Sequence, residues 1–161
     1  MHTREKPAVF GSSERFDENR IGAAAVYCSD GRYGDHFDNF LHNALKLPRY
    51  DRLALPGGAA CLAGHFLSFK EEEALVEQLR FLIKTHDLNR VVLIAHQGCG
   101  FYAERLHVSP SKVESQQRED MQAAVRRIHS FASSVTVDTF FARKHSDGTI
   151  RFEAMLGDHP K

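Results

Sequence analysis

The sequence predicts an α/β fold: a mostly parallel central sheet flanked by helices, with a C-terminal hairpin strand at one edge. Three observations lead there. Residues 21–27 and 91–95 are short continuous apolar runs, the pattern of strands buried on both faces. Segments with apolar residues at helical spacing separate and follow them, and strands that alternate with helices build a parallel sheet through right-handed crossovers. Near the end, Val135, Val137, Thr139 and Phe141 alternate, Asp147-Gly148 makes a turn, and Ile150, Phe152 and Ala154 alternate again, which reads as a closing hairpin.

Taken in order, the first strand stops at Cys28-Ser29-Asp30-Gly31-Arg32. After a break at Gly34, Phe37, Phe40, Leu41, Ala44 and Leu45 follow the spacing of a helix that packs one face and ends before Pro48. His36 and His42 fall off that stripe and are expected to face solvent. Residues 52–55 read as a second short strand, stopped by Pro56-Gly57-Gly58. Ser68 and Glu71 have capping-box spacing at the start of a helix that buries Leu75, Leu79, Leu82 and Ile83. The strand at 91–95 stops at His96-Gln97-Gly98-Cys99-Gly100. A further helix starts near Ser111, with Glu114 completing a second box and Met121, Ala124, Val125 and Ile128 facing inward.

A chain of 161 residues has room for one domain with a full core. Lys+Arg and Asp+Glu both number 21, so the net charge is zero and the basic excess of a nucleic-acid binder is missing. No apolar run approaches the roughly 20 residues of a membrane span. The charged opening lacks an apolar targeting core, so a cytoplasmic location is expected. Three cysteines are too few for a disulfide framework, and in a reducing compartment they are buried, metal-bound or reactive. There is no repeat or linker, and the polar ends at about 1–18 and 157–161 are expected to be loosely ordered.

In sheets of this kind ligands bind outside the carboxyl ends of the strands, and three of the expected strands end in unusual chemistry, at 28–32, 56–58 and 96–100. If those strands are neighbours, the three segments converge. Cys28, His96 and Cys99 together offer two thiolates and an imidazole, a donor set that suits zinc. Three protein ligands leave a fourth tetrahedral position open, which Asp30 would fill or serve by holding water. Arg32 can grip Asp30 through a bidentate contact, keeping it ionised as an acceptor for the proton of a zinc-bound hydroxide. The plainer alternatives are that Cys28 and Cys99 are small buried residues at strand ends and that Asp30 and Arg32 form a solvated turn. Gly57 and Gly58 permit a tight turn; as candidate substrate-binding residues they would bring backbone N–H groups to an anion such as bicarbonate. Cys61, with no ligand pair nearby, reads as a buried small residue.

Cys28-Ser29-Asp30-Gly31-Arg32 and His96-Gln97-Gly98-Cys99-Gly100 resemble the Cys-x-Asp-x-Arg and His-x-x-Cys-Gly signature of the β-class carbonic anhydrases. The order of helix, strand and closing hairpin matches as well, over about residues 20–156. The resemblance implies a single domain of that type and a zinc-dependent lyase that interconverts CO2 and bicarbonate through a zinc-bound hydroxide. It implies Cys28, His96 and Cys99 as ligands, Asp30 and Arg32 as the catalytic dyad, Asp30 as fourth ligand in a closed state, and a homodimer or larger homo-oligomer. Two departures stand out. Gly31 occupies a position that is usually Ser, and Leu55-Pro56-Gly57-Gly58 stands where the family has Arg-Asn-Ala-Gly. A related zinc hydrolase acting on carbonyl sulfide or carbon disulfide, and a non-catalytic zinc-binding protein, share the same metal motif.

Two readings from other classes compete. Gly98-Cys99-Gly100-Phe101-Tyr102-Ala103 fits the Gly-x-Gly-x-x-Ala dinucleotide fingerprint, but the acidic residues about twenty positions on, Glu119 and Asp120, fall inside an expected helix rather than at a strand end. A Cys28–His96 nucleophile leaves Cys99 and the Asp30–Arg32 pair without roles.

Overall fold

The computed structural model describes residues 6–156. Five strands, β1 (Ala23–Tyr27), β2 (Asp51–Ala54), β3 (Arg90–His96), β4 (Thr136–Lys144) and β5 (Ile150–Ala154), form one sheet in the order β2-β1-β3-β4-β5. The first four are parallel and β5 runs antiparallel to β4, so the expected mostly parallel sheet with an edge hairpin is present. The helices are α1 (Gly34–Asn43), α2 (Phe69–His86), a short α3 (Gly100–Glu104) and α4 (Val113–Phe131). None is long and apolar enough to cross a membrane.

Side chains along a strand point to opposite faces in turn, and β1 shows why its apolar run is continuous. Ala24 and Val26 join one core with Leu75 and Leu79 of α2 and Met121, Ala124 and Ile128 of α4. Ala23, Ala25 and Tyr27 join a second core with Phe37 and Leu41 of α1. Three alanines in a row keep the sheet thin enough for helices to pack closely on both sides. Leu79 is fully buried, so truncating it to Ala would cost about 2–5 kcal/mol.

Register brings three strand ends together. Tyr27 at the end of β1 pairs with Ala54 on one side and Ile94 on the other. The neighbours of β1 are therefore the two strands whose ends carry the Pro56-Gly57-Gly58 and His96–Gly100 segments.

Neither capping box forms. Ser68 is the N-cap of α2, but its hydroxyl donates back to the His65 carbonyl at 3.3 Å, and Glu71 pairs with Arg105. A 3₁₀ turn (Pro110–Lys112) leads into α4, and Glu114 pairs with Arg143 at 2.6 Å. In both cases an arginine from elsewhere in the fold offers the glutamate an ion pair in place of the backbone N–H that a box would give it. α1 stops at Asn43, so Ala44 and Leu45 lie beyond it. His36 is exposed as expected, whereas His42 is half-buried beside Tyr50. The expectation of loose ends falls partly on residues 1–5 and 157–161, outside the described residues; residues 6–18 are exposed without regular structure.

Candidate metal centre

Cys28 follows the last residue of β1, His96 is the last residue of β3, and Cys99 is the N-cap of α3. All three are buried, and their ligating atoms lie within 4.8 Å of one another. The two sulfurs are 3.9 Å apart. A tetrahedral ion with zinc–sulfur bonds of about 2.3 Å separates its sulfurs by about 3.8 Å, so the spacing suits zinc. Between His96 and Cys99 the chain turns through Gly98 at φ +68, a left-handed conformation that glycine adopts without strain.

His96 provides the sharpest test of fit. Its Nδ1–H donates to the Gln97 carbonyl at 2.9 Å, which leaves Nε2 with a lone pair. That Nε2 is buried and has no hydrogen-bond partner. An unsatisfied buried polar atom costs about 1–3 kcal/mol, and coordination of a metal removes that cost while the Nδ1 bond holds the ring in the ligating tautomer. The Tyr33 ring lies 4.2 Å from the His96 ring, and its hydroxyl donates to the same Gln97 carbonyl at 3.1 Å.

The sulfurs sit among donors. The Cys99 thiol donates to Cys28, which lowers the pKa of Cys28, and the backbone N–H groups of Gly57 and Asp30 add to that lowering. Cys99 keeps its proton longer, because it is the donor in that pair and because it is buried. One thiolate is thus favoured before any ion arrives, and thiolates are the form that binds zinc. Cys61 lies outside the cluster; burial pushes its thiol up to about 12 and its Sγ faces the Pro56 carbonyl, in keeping with a buried small residue.

Asp30 and Arg32 meet as a closed local pair. Arg32 Nε donates to Asp30 Oδ1 at 3.0 Å, its Nη2 to Oδ2 at 2.7 Å, and its backbone N–H to Oδ1 at 3.0 Å. These bonds hold the Asp30 carboxyl down at about 2. The Asp30 carboxylate does not join the Cys28, His96 and Cys99 cluster. The Arg32 side chain is 81% exposed, on the rim of a 720 Å³ cleft that also reaches Tyr33, His36, Gln97 and Lys144.

Gly57 and Gly58 both have positive φ, at +81 and +51. A Cβ on Gly58 would come within 2.7 Å of the Tyr27 carbonyl carbon and 2.8 Å of the Cys28 nitrogen, while one on Gly57 would run into the Phe101 ring. The glycine pair is what lets the β2 end press against both metal-loop segments.

Sequence reasoning missed the supports. Gln117 of α4, buried, donates from Nε2 to the His96 carbonyl at 2.9 Å. Asp120, also buried, accepts from Tyr102 just past Cys99. The available signal was two polar residues, Gln117 and Asp120, on the side of α4 that also carries Met121 and Ala124. The dinucleotide reading loses its acid here, since Asp120 is buried within α4, and α3 is only 5 residues long.

Residues 18–150 match the family model described as "Putative carbonic anhydrase". Among solved structures the chain is similar to β-carbonic anhydrase isoform I of the protozoan Trichomonas vaginalis, at 14% identity and a TM-score of 0.56, covering 88% of each chain. It is also similar to a carbonic anhydrase of Streptococcus mutans, at 14% identity and a TM-score of 0.51, covering 88% of this chain and 87% of that one. At such identities the structural likeness is one of fold. A comparison with curated protein sequences finds no match.

Proposed function

The chain belongs to the carbonic anhydrase family, and from that membership we propose that it is a zinc-dependent lyase interconverting CO2 and bicarbonate. The observation that carries the proposal is the buried Cys28, His96 and Cys99 cluster with its unpartnered His96 Nε2. Cys28, His96 and Cys99 would hold the ion. When bound, zinc supplies a Lewis acid that acidifies water, less strongly with two thiolates than with three imidazoles, so hydration should rise toward alkaline pH.

The remaining chemistry falls to the protein. Hydration of CO2 adds water across a C=O bond to give bicarbonate and releases one proton. Asp30, kept ionised by Arg32, is an acceptor that orients the O–H of the attacking water toward itself and its lone pair toward carbon. Arg32 also restrains Asp30 from turning onto the metal, so the open state is the one that the pair's hydrogen bonds favour. Gly57 and Gly58 serve the site by close backbone approach: the Gly57 N–H faces the sulfurs, while the Gly58 N–H closes the turn on the Leu55 carbonyl at 2.9 Å. The exposed Phe66, Leu67, Phe69 and Phe81 suit a homo-oligomer, which sedimentation would show as a species larger than 18.2 kDa. A cytoplasmic location keeps the thiols reduced.

One observation favours a second substrate class. Leu55, Pro56 and Phe101 form an apolar wall of a 380 Å³ cavity beside the metal loop, whose other side carries Glu71, Glu104 and Arg105. Carbonyl sulfide or carbon disulfide, less polar than bicarbonate, would suit such a wall. Zinc content and hydration of CO2, carbonyl sulfide and carbon disulfide, measured on one sample, test both readings. About one zinc per chain with CO2 hydration supports the first, zinc with sulfide release supports the second, and zinc with neither leaves a non-catalytic zinc protein.

A further inference from the structure

The helix that packs against the metal loops buries a carboxylate in the apolar interior. Asp120 of α4 is 4% exposed, and all three of its bonds come from side chains. Its Oδ2 accepts from the Tyr102 hydroxyl at 2.7 Å and from His65 Nε2 at 2.8 Å, and its Oδ1 accepts from Gln116 Nε2 at 2.8 Å. Burying a carboxylate is costly, and a well-packed apolar group of the same size generally serves stability as well or better. A role in holding specific geometry accounts for what stability alone does not.

The donors show which geometry. Tyr102 lies three residues past Cys99 on α3, a helix of 5 residues that is too short to hold its own position. His65 ends the segment that starts at Gly57, whose N–H faces both sulfurs. One turn back along α4, Gln117 holds the His96 carbonyl at 2.9 Å. We propose that Asp120 is a positioning residue of the metal centre: its carboxylate ties α3 and the 57–65 segment to α4, and so fixes Cys99 and the Gly57 N–H relative to His96. The inference rests on the zinc-centre reading above and extends it to residues that touch no ligand atom.

Asp120→Asn keeps the shape but replaces an acceptor oxygen by an NH2 group that faces existing donors. Tyr102→Phe removes only the hydroxyl. Zinc affinity is read by competition with a chromophoric chelator, and the cobalt-substituted proteins are read by their thiolate-to-metal and d–d absorption bands. Both variants should bind zinc roughly 10- to 100-fold more weakly than wild type and show altered cobalt bands. Ile128→Val, a buried change on the same helix outside the network, serves as the control: it should lower the melting temperature while leaving affinity and spectrum alone. Wild-type affinity and cobalt bands in both folded variants overturn the inference while leaving the zinc centre intact. Equal loss of affinity in Ile128→Val also overturns it, because general loosening then explains the effect. A wild type that binds no zinc overturns the zinc-centre reading and this inference with it.

Discussion

The two loops that meet at the Cys28, His96 and Cys99 cluster are held in different ways. The Cys28–Arg32 loop is held mostly by its own bonds: Arg32 bonds Asp30 two residues away, the Tyr33 N–H donates to the Asp30 carbonyl at 3.0 Å, and one bond leaves it, from the Ser29 N–H to the Leu55 carbonyl at 3.2 Å. The His96–Gly100 loop is held from outside. The Gln97 N–H donates to Ala142 on β4, Gln117 on α4 holds the His96 carbonyl, and the Tyr33 hydroxyl holds the Gln97 carbonyl. Each loop starts with a buried donor and has three exposed residues, so the difference lies in the bonds and not in exposure. A loop that closes on itself can place charge at the surface and let it move, while a loop anchored by three elements can hold ligands still.

The largest expected effect removes the distinction. Cys28→Ala and Cys99→Ala, one from each loop, should both reduce zinc from about one per chain to background in elemental analysis, because the remaining two ligands cannot hold the ion. Retention of wild-type zinc by either would show that the loops do not share one ion.

Arg32→Ala addresses the Cys28–Arg32 loop alone. Turnover should fall about 100-fold or more, since Asp30 is then free to leave its orienting position or cap the metal, while zinc content is unchanged. The melting temperature should move little, because the ion pair of so exposed a side chain is screened by solvent. A turnover equal to wild type across the pH range would remove Asp30 and Arg32 from the mechanism.

The two glycines sharpen the comparison because each closes on a different loop. Gly58→Ala forces a Cβ against the Tyr27 and Cys28 backbone at positive φ and should destabilise by about 2–5 kcal/mol in denaturant unfolding. Gly57→Ala meets a side chain instead, the Phe101 ring, so Phe101→Ala should recover part of its loss, a coupling of about 1–2 kcal/mol, whereas no such partner exists for Gly58.

The smallest effect is a titration. The folded pKa of Asp30, about 2, lies below the ordinary carboxylate value of about 3.9, so its stabilising contribution is complete above that value and fades as pH falls toward 2. Carboxyl NMR should place the Asp30 midpoint near 2 in the wild type and higher in Arg32→Ala, short of the ordinary value because the backbone N–H at position 32 still donates to Oδ1. An unmoved midpoint would mean that the dyad does not set its own ionisation.

Local contacts were legible in the residue order. Asp30 and Arg32 stand two positions apart, and His96 and Cys99 three, so short loops bring each pair together wherever the fold puts them. The strands at 23–27 and 90–96 showed themselves because burial on both faces demands unbroken apolar runs. The failed capping boxes mark the limit of that logic: Ser68 and Glu71 have the right spacing, but Arg105, 34 residues away from Glu71, competes for the glutamate and wins.

Read alone, the sequence determined the fold class, the donor types at Cys28, His96 and Cys99 and the pairing of Asp30 with Arg32, because each depends on residue types and spacing within a few positions. The tertiary structure alone decided that β1, β2 and β3 are neighbours and that Cys28 and Cys99 stand 3.9 Å apart. It alone decided that Gln117 and Asp120 of α4 brace the second loop. Those facts depend on which elements pack together, and the contacts that settle it join residues 18 to 71 positions apart, where spacing in the chain carries no information about distance in space.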